Sequence, residues 1–159
     1  MTGTLSGESA DGKSKRESPE ANRGWAEGMA SMTELLDSPD PVIAVVGATD
    51  HPTKYGGIIY RDLKAKGYRV LAVNPGRSHV DGDRCWPSLA DLPEAPTIVD
   101  IVVPPARTLR VLAECTELGY RNVWIQPGAA DEAVRSYVAA SDLNALIDAC
   151  IMVRARTRS

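Results

Sequence analysis

Four short segments of the chain combine glycine or proline with polar side chains, and each follows a run of aliphatic residues that predicts a β-strand. They are Gly47-Ala48-Thr49-Asp50, Asn74-Pro75-Gly76-Arg77, Val103-Pro104-Pro105 and Gln126-Pro127-Gly128. Open sheets of parallel strands bind ligands beyond the carboxyl ends of those strands. We therefore expect the four segments to converge on one ligand.

The first segment has the features of a pyrophosphate site. Gly47 permits a tight turn, Thr49 supplies a hydroxyl, and Gly56-Gly57 lets backbone amides approach an anion at the start of the next helix, where the helix dipole favours negative charge. The spacing of nine from Gly47 to Gly56 departs from the compact Gly-x-Gly-x-x-Gly pattern, which disfavours a NAD-dependent dehydrogenase. A glycine loop that only turns the chain is the alternative interpretation.

The segment after the second predicted strand indicates a phosphate on the ribose of the ligand. NAD sites place Asp or Glu here, whereas this chain has Asn74, Pro75 and then Arg77. Arginine matches phosphate geometry with paired hydrogen bonds. The exchange suits the 3′-phosphate of coenzyme A or the 2′-phosphate of NADP, and an ordinary surface charge at Arg77 is the alternative.

Two consecutive prolines, Pro104 and Pro105, end another predicted strand. Neither has a backbone N–H, so the strand cannot continue through them. They would form an apolar wall against an adenine or a pantetheine arm, or they only interrupt the strand.

Apolar periodicity and breaker residues predict alternating strands and helices. Predicted strands cover 42–46, 69–73, 98–103, 123–125 and 143–147; predicted helices cover 29–36, 58–66, 107–118 and 131–140; residues 81–93 read as irregular, with a turn capped by Ser88. This alternation requires parallel strands with right-handed crossovers. The predicted fold class is α/β: a Rossmann-like, doubly wound, mainly parallel sheet with helices on both faces.

The chain divides into four predicted parts. Residues 1–27 have almost nothing aliphatic to bury and are expected to be a disordered tail, residues 28–40 a lead-in helix, residues 41–153 the domain, and residues 154–159 a C-terminal tail. The N-terminus has no apolar signal region and no apolar run is long enough to span a membrane. A cytoplasmic location and no membrane partner are therefore expected.

Composition argues against several classes of function. A net charge of −3 gives no global field that would attract nucleic acid. Three widely spaced cysteines and two histidines make reduced thiols the expectation, with neither a disulfide framework nor a metal site. No hydrolase, P-loop or nucleophile pattern is present, so no catalytic residue is predicted. Cys150, beside Ile147 and Ile151, is expected to be a small buried core residue.

Several separated motifs between Pro41 and Val153 resemble the stand-alone coenzyme A-binding domain family, which is related to the N-terminal domain of the succinyl-CoA synthetase α subunit. They are Val45-Val46-Gly47-Ala48-Thr49, Gly67-Tyr68-Arg69-Val70 leading to Val73-Asn74-Pro75, Gly82 with Trp86-Pro87-Ser88-Leu89, Trp124-Ile125-Gln126-Pro127-Gly128, and Asp148-Ala149-Cys150. The chain departs from the family in having Thr49 where Ser is common, and Ala149 where the closing motif has Arg.

The resemblance implies roles for individual residues. Thr49, Asp50 and His51 would lie at the pyrophosphate, Arg77 near the adenosine, and Val103-Pro104-Pro105 along the cofactor. The second domain with its phosphorylated histidine, and the ATP-grasp partner that the synthetases use, do not fit in this chain, so their reaction is not carried over.

The leading hypothesis is a non-catalytic module that binds coenzyme A or an acyl-CoA as a sensor, carrier or partner subunit. An NADP-binding oxidoreductase-like protein, and an interaction module that has lost its ligand, are the alternatives. A homodimer formed through an exposed Trp124 or the N-terminal helix is a further hypothesis.

Overall fold

The computed structural model describes residues 32–158, and the predicted 1–27 tail lies outside that range. A helical segment α1 covers residues 32–36. It is followed in chain order by β1 (Val42–Val46), α2 (Tyr55–Ala65), β2 (Arg69–Val73), β3 (His79–Val80), β4 (Asp83–Trp86), a 3-10 turn (Leu89–Asp91), β5 (Ile98–Ile101), α3 (Pro105–Leu118), β6 (Asn122–Ile125), α4 (Glu132–Ala139), β7 (Asn144–Ile147) and α5 (Ile151–Arg154).

The seven described strands form one sheet in the order β3-β4-β2-β1-β5-β6-β7. All neighbouring pairs are parallel except β3 and β4, which form an antiparallel hairpin at one edge. The chain leaves β1 toward β2 on one side and later returns to β5 on the other. The strand order therefore reverses between β1 and β5, where open α/β sheets bind their ligands. The predicted fold class is confirmed.

Alternate residues along the strands build two cores, one on each face of the sheet. One face carries Ile43, Val45 and Trp124 under α1, α2 and α5, and the other carries Ala44 and Val99 under α3 and α4. Because β1 is buried on both faces, its continuous apolar run Val42–Val46, in which all residues but Ala44 are β-branched, is the pattern that a central parallel strand requires.

The region 81–93 contains more regular structure than its sequence indicates. Asp83–Trp86 is a strand that pairs with β2, and His79–Val80 pairs back onto it. These short edge strands mix polar and apolar residues, so their sequence does not show the apolar periodicity that would predict a strand. The Ser88 cap is also wrong, since the Ser88 hydroxyl donates to the Asp91 carboxylate at 2.8 Å and no side chain caps the 3-10 turn.

Element boundaries shift by a few residues from their predicted places. Helix α2 begins at Tyr55 and α3 at Pro105, both earlier than predicted, while β5 ends at Ile101. Periodicity places the first apolar residue of a helix, whereas the helix itself starts in the glycine or proline turn that precedes it. The earlier starts bring both helix N-termini to the edge of the sheet.

The segment after α5 lies against the domain. Ala155 is buried, and the Arg158 guanidinium donates to the carbonyls of Leu36 and Ser38 at 2.8 and 2.9 Å. The Arg158 amide donates to the carbonyl of Lys66 at 2.7 Å. These bonds join the end of the chain to α1 and to the end of α2, although the sequence indicates a tail here.

Trp124 is fully buried, so the prediction that it is exposed is wrong. Its indole N–H donates to the Ala149 carbonyl at 2.7 Å, which satisfies the polar atom of the ring inside the core. Trp124 therefore holds the start of α5 against the sheet and offers no surface to a second copy.

Candidate functional site

A pocket of about 420 Å³ opens at the carboxyl edge of the sheet between β1 and β5. We call it the central pocket. Its lining comes from four loops and from the N-terminal parts of α2 and α3, and comprises Gly47, Thr49, Lys54, Tyr55, Gly56, Ile59, Val102, Val103, Pro104, Pro105, Gln126, Pro127, Gly128, Ala129 and Cys150. Three of the four segments that the sequence singled out thus meet at one cavity.

A second, shallower pocket of about 520 Å³ lies beside the first, beyond β2 and β4. We call it the hairpin pocket. It is lined by Pro75, Gly76, Arg77, Ser78, His79, Arg84, Cys85 and Pro87. The segment after β2 therefore contributes to a neighbouring cavity, and the expectation of a single convergent site is replaced by two adjacent pockets.

The loop after β1 lies between the two pockets. Asn74 donates its side-chain N–H to the Ala48 carbonyl at 2.9 Å, which ties the loops after β1 and β2 together. Asp50 accepts the Asp81 amide at 2.7 Å, and its other carboxylate oxygen lies 4.0 Å from the Arg77 guanidinium. Thr49 faces the central pocket and accepts the His51 amide at 3.2 Å through its hydroxyl.

Two further predicted residues, Ala48 and His51, belong to the loop after β1. Ala48 is fully buried and acts through its carbonyl, while His51 is exposed and its ring accepts the Thr53 amide at 3.3 Å. Neither side chain lines the central pocket. Sequence reasoning missed Lys54 and Tyr55, which line the pocket because α2 starts earlier than its apolar pattern indicates.

The glycines at the start of α2 are required by close packing of the helix on the β1 loop. A Cβ on Gly56 would lie 1.9 Å from the Gly47 carbonyl oxygen, and one on Gly57 would lie 2.6 Å from that of Thr49. Gly47 has a φ of +103°, and a Cβ there would lie 2.6 Å from the Val102 carbonyl oxygen. Contact between α2, the β1 loop and the loop after β5 therefore requires glycine at these positions, whether or not a ligand approaches them as predicted.

The N-terminus of α2 is an uncapped, electropositive wall of the central pocket. Lys54 occupies the N-cap position, no side chain there forms a capping hydrogen bond, and the first turn contains no acidic residue. The amides of an uncapped first turn and the helix dipole both favour an anion. The Lys54 side chain adds a full positive charge at the same place.

An aspartate lies in the apolar row beneath the central pocket. Asp100 is fully buried, and its register partners on the neighbouring strands are Val45 and Trp124. Its Oδ1 accepts a hydrogen bond of 2.6 Å from Gln126 Nε2, and no described residue bonds its Oδ2. Complete burial raises the pKa of Asp100 to about 8, against the opposite effect of the Gln126 bond.

Comparison with known proteins identifies the type of domain. A family model described as a CoA binding domain matches residues 41–156. The chain belongs to the CoA-binding domain family.

This CoA-binding domain is similar to a part of a ligase subunit and to most of a smaller protein. The α subunit of an ADP-forming acetate–CoA ligase II from Pyrococcus furiosus is 34% identical over 84 residues, which are 52% of this chain and 18% of the subunit. The uncharacterized protein YneT of Bacillus subtilis is 25% identical over 111 residues, which are 70% of this chain and 82% of that protein. The chain thus spans a small part of the ligase subunit and most of YneT.

Solved structures with this fold divide in the same way. A conserved hypothetical protein from Pyrococcus furiosus is 40% identical with a TM-score of 0.68, over 71% of this chain and 97% of that one. A dinucleotide-forming acetyl-coenzyme A synthetase 1 from Ca. Korarchaeum cryptofilum is 25% identical with a TM-score of 0.60, over 78% of this chain and 30% of that one.

Cys150 of the CoA-binding domain is only partly buried and lines the central pocket, so its prediction as a core residue is wrong. It lies in the turn after β7, at the N-cap position of α5, where the chain turns from the sheet toward the pocket. Cys85 and Cys115 are buried, and burial raises the pKa of both thiols, that of Cys115 to about 12. Cys150 is therefore the accessible thiol of the three.

Residues 32–158 contain no group of three or more His, Cys, Asp or Glu side chains arranged to hold a metal ion. No helix in this range is long and apolar enough to cross a membrane.

Proposed function

We propose that this chain binds coenzyme A or an acyl-CoA across the two pockets without turning it over, as a sensor, carrier or partner module. The observation that carries the proposal is an apolar pocket with an uncapped helix N-terminus, placed where the strand order reverses. Sites of this kind hold a nucleotide pyrophosphate at the helix and an organic arm in the cavity. Membership of the CoA-binding domain family supports the same ligand.

The parts of the ligand match the chemistry of the two pockets. The pyrophosphate would lie at the first turn of α2, beside Thr49 and Lys54, and the pantetheine arm along the wall made by Pro104 and Pro105. The adenosine would extend over the loop that joins the pockets, toward Arg77. An apolar arm, a pyrophosphate and a ribose phosphate in sequence describe coenzyme A.

The lining of the central pocket supports binding without turnover. None of its fifteen described lining residues is an Asp, Glu or His. Its ionisable side chains are those of Lys54, Tyr55 and Cys150, and the lining places no carboxylate or imidazole beside them to serve as their base. Gln126 and Thr49 supply neutral hydrogen-bonding groups instead. We propose that any chemistry on the bound acyl group belongs to a partner.

Parallel titration calorimetry with coenzyme A, dephospho-coenzyme A, NADP and NAD tests the proposal. We expect coenzyme A to bind with a Kd in the micromolar range and NAD not to bind. A preference for NADP would indicate an oxidoreductase-like protein, and the absence of binding by all four would indicate an interaction module that has lost the ligand. Acyl-CoA incubated with the protein should stay intact by mass spectrometry.

The variant Arg77→Ala locates the binding site. We expect it to weaken coenzyme A binding by about 1–3 kcal/mol, the contribution of a charge-assisted hydrogen bond to phosphate. Arg110→Ala, which removes an exposed arginine of α3 that lines neither pocket, is the matched control. Equal binding by the wild type and Arg77→Ala would show that the site lies elsewhere.

A further inference from the structure

Helix α1 lies outside the part of the chain that matches the family, yet it packs closely against the domain. The family model begins at residue 41, whereas α1 covers residues 32–36. Its residues Met32 and Leu36 are fully buried in the core on one face of the sheet. Because the Arg158 guanidinium also bonds the carbonyls of Leu36 and Ser38, the end of this helix is fixed to the domain. Residues before the family domain thus extend its core.

The other end of α1 lies beside the edge strand β7. The Met32 sulfur accepts a hydrogen bond of 3.6 Å from the side chain of Asn144, the first residue of β7. The Asn144 amide donates to the Arg121 carbonyl at 2.7 Å. Residues 1–31 are therefore attached to the described chain at a point close to Asn144 and Arg121.

A groove of about 480 Å³ opens next to this point, between the carboxyl ends of α3 and α4. We call it the α3–α4 groove. It is lined by Thr116, Gly119, Arg121, Tyr137, Ala140, Ser141, Asp142 and Leu143, the last of which directly precedes Asn144. The groove shares no residue with the central pocket or the hairpin pocket. It lies at the start of β7, at the opposite edge of the sheet from both pockets.

The α3–α4 groove offers apolar surface. Tyr137 and Leu143 are half-buried and pack against the core under α3 and α4. The Tyr137 hydroxyl lies 3.2 Å from that of Thr116, and this contact links the two helices at the groove. Aromatic rings pair favourably with one another and bury a large apolar area. An aromatic side chain would therefore suit this surface.

The α3–α4 groove also carries unpaired negative charge. Among residues 32–158, no Lys, Arg or His lies within 4.0 Å of the Asp142 carboxylate. Arg121 donates instead to the backbone carbonyl of Asp142, at 3.1 Å. The last turns of α3 and α4 contain no basic residue, so the negative ends of two helix dipoles add to the field of the carboxylate. The groove therefore favours a cation next to the aromatic side chain.

We propose that the α3–α4 groove binds the segment Arg23–Met29 of the same chain, with the Trp25 ring against Tyr137 and the Arg23 guanidinium at the Asp142 carboxylate. Trp25 is the one aromatic residue of the sequence 1–31, and Arg23 precedes it by two positions. Trp25 stands seven positions before Met32, a span of roughly 10 Å in a helix and roughly 25 Å in an extended chain, which is enough to reach the groove. The proposal gives residues 23–27 a fixed place, although composition alone predicts a disordered tail there.

Fluorine NMR of the full chain, with 5-fluorotryptophan at all three tryptophans, tests the proposal. The variant Trp25→Phe assigns the Trp25 resonance, and the fully buried Trp124 is the internal reference for a ring without water contact. The change in fluorine shift between H₂O and D₂O measures contact of each ring with water. We expect this isotope shift at Trp25 to be well below that of free 5-fluorotryptophan.

Two variants that fill the groove should release Trp25. Ala140→Gln and Thr116→Gln lengthen exposed side chains on opposite sides of the α3–α4 groove, and each should raise the Trp25 isotope shift to that of the free amino acid. Ala139→Gln, at an exposed position outside the lining, is the matched control and should leave it low. An unshifted Trp124 resonance shows that each variant keeps its fold.

The ion pair has its own test in a double-mutant cycle. Arg23→Gln and Asp142→Asn should each raise the Trp25 isotope shift in part, and the double variant should raise it no further than either single change. Additive effects of the two changes would overturn the pairing of Arg23 with Asp142.

Three results would overturn the proposal as a whole. The first is a full isotope shift at Trp25 in the wild type, and the second is a low shift that Ala140→Gln and Thr116→Gln both leave unchanged. The third is a low shift that is lost on dilution together with a fall in mass by sedimentation, because Trp25 would then lie on a second copy of the chain. The proposed function stands or falls separately, since neither ligand pocket includes a residue of the α3–α4 groove.

Discussion

Gln126 donates a hydrogen bond of 2.6 Å to Asp100 inside the core, beneath the central pocket. The Gln126 Oε1 accepts the Ile151 amide at 3.4 Å, so one glutamine side chain joins β5 to the start of α5. Cys150, the residue before Ile151, faces the pocket. The hydrogen-bonded pair Asp100–Gln126 therefore positions the start of α5, and with it Cys150 in the wall of the central pocket.

Asp100 makes the stability of the domain depend on pH. Because burial raises its pKa in the folded protein to about 8, from 3.8 as the ordinary value, the folded state binds a proton that the unfolded state releases. Stability should therefore fall as pH rises from about 4 to about 8, with a slope from this group approaching about 1.4 kcal/mol per pH unit. Asp100→Asn mimics the protonated form and should flatten the slope in urea titrations at several pH values. Parallel curves for the two proteins would contradict the assignment.

Gly56→Ala should destabilise the fold severely. Its Cβ would lie 1.9 Å from the Gly47 carbonyl oxygen, a contact that only a shift of α2 relieves, and we expect a loss of about 3 kcal/mol or more in the free energy of unfolding. Gly76→Ala is the matched control, since the nearest atom to its Cβ would be Asn74 Oδ1 at 3.5 Å, an ordinary contact. We expect that control to change stability by less than about 0.5 kcal/mol. Equal melting temperatures for the two variants would refute the packing role.

Asp50→Asn should strengthen coenzyme A binding about two- to fivefold. The Asp50 carboxylate lies 4.0 Å from the Arg77 guanidinium and opposes the phosphate for which Arg77 is proposed, while asparagine can still accept the Asp81 amide. Calorimetry against wild type measures the change, and Asp142→Asn, which lies away from both pockets, controls for net charge. Unchanged or weaker binding would argue against an anion at Arg77.

A bound acyl-CoA should protect Cys150 from alkylation. Cys150 is accessible in the central pocket, whereas Cys85 and Cys115 are buried with raised pKa values, so N-ethylmaleimide should label Cys150 first. Saturating acetyl-coenzyme A, whose acylated sulfur does not consume the maleimide as the free thiol of coenzyme A would, should slow that labelling severalfold, as read by peptide mass spectrometry, and leave the other two thiols unmodified. A labelling rate that ignores the ligand would place the bound arm outside the central pocket.

The sequence predicts the central part of this fold well and its edge poorly. The run Val42–Val46 is buried on both faces, and its continuous apolar sequence is typical of a central parallel strand. The strands His79–Val80 and Asp83–Trp86 lie at an edge, where four of their six residues are exposed or partly exposed, and their formation depends on pairing with β2. Such pairing is a tertiary property that local periodicity does not encode.

The sequence predicts which loops form the site, but it does not predict that the site divides into two pockets. The segments after β1, β5 and β6 meet because parallel strands end at one edge, which alternation alone predicts. The position of Arg77 beside His79 and Arg84 depends on the unpredicted hairpin. An aspartate in the middle of the apolar strand Ile98–Ile101 was a readable signal, because a carboxylate in a buried strand needs a partner.

Hydrogen–deuterium exchange with and without saturating coenzyme A tests the central claim, that one ligand lies across both pockets. We predict added protection in peptides covering 47–56, 102–105 and 126–129 around the central pocket, together with 75–79 and 84–87 around the hairpin pocket. Adenosine 3′,5′-bisphosphate should protect the second group and the start of α2, and leave 126–129 unchanged. Protection confined to other surfaces, such as the groove beside Thr116 and Tyr137, or no protection at all, would contradict the account.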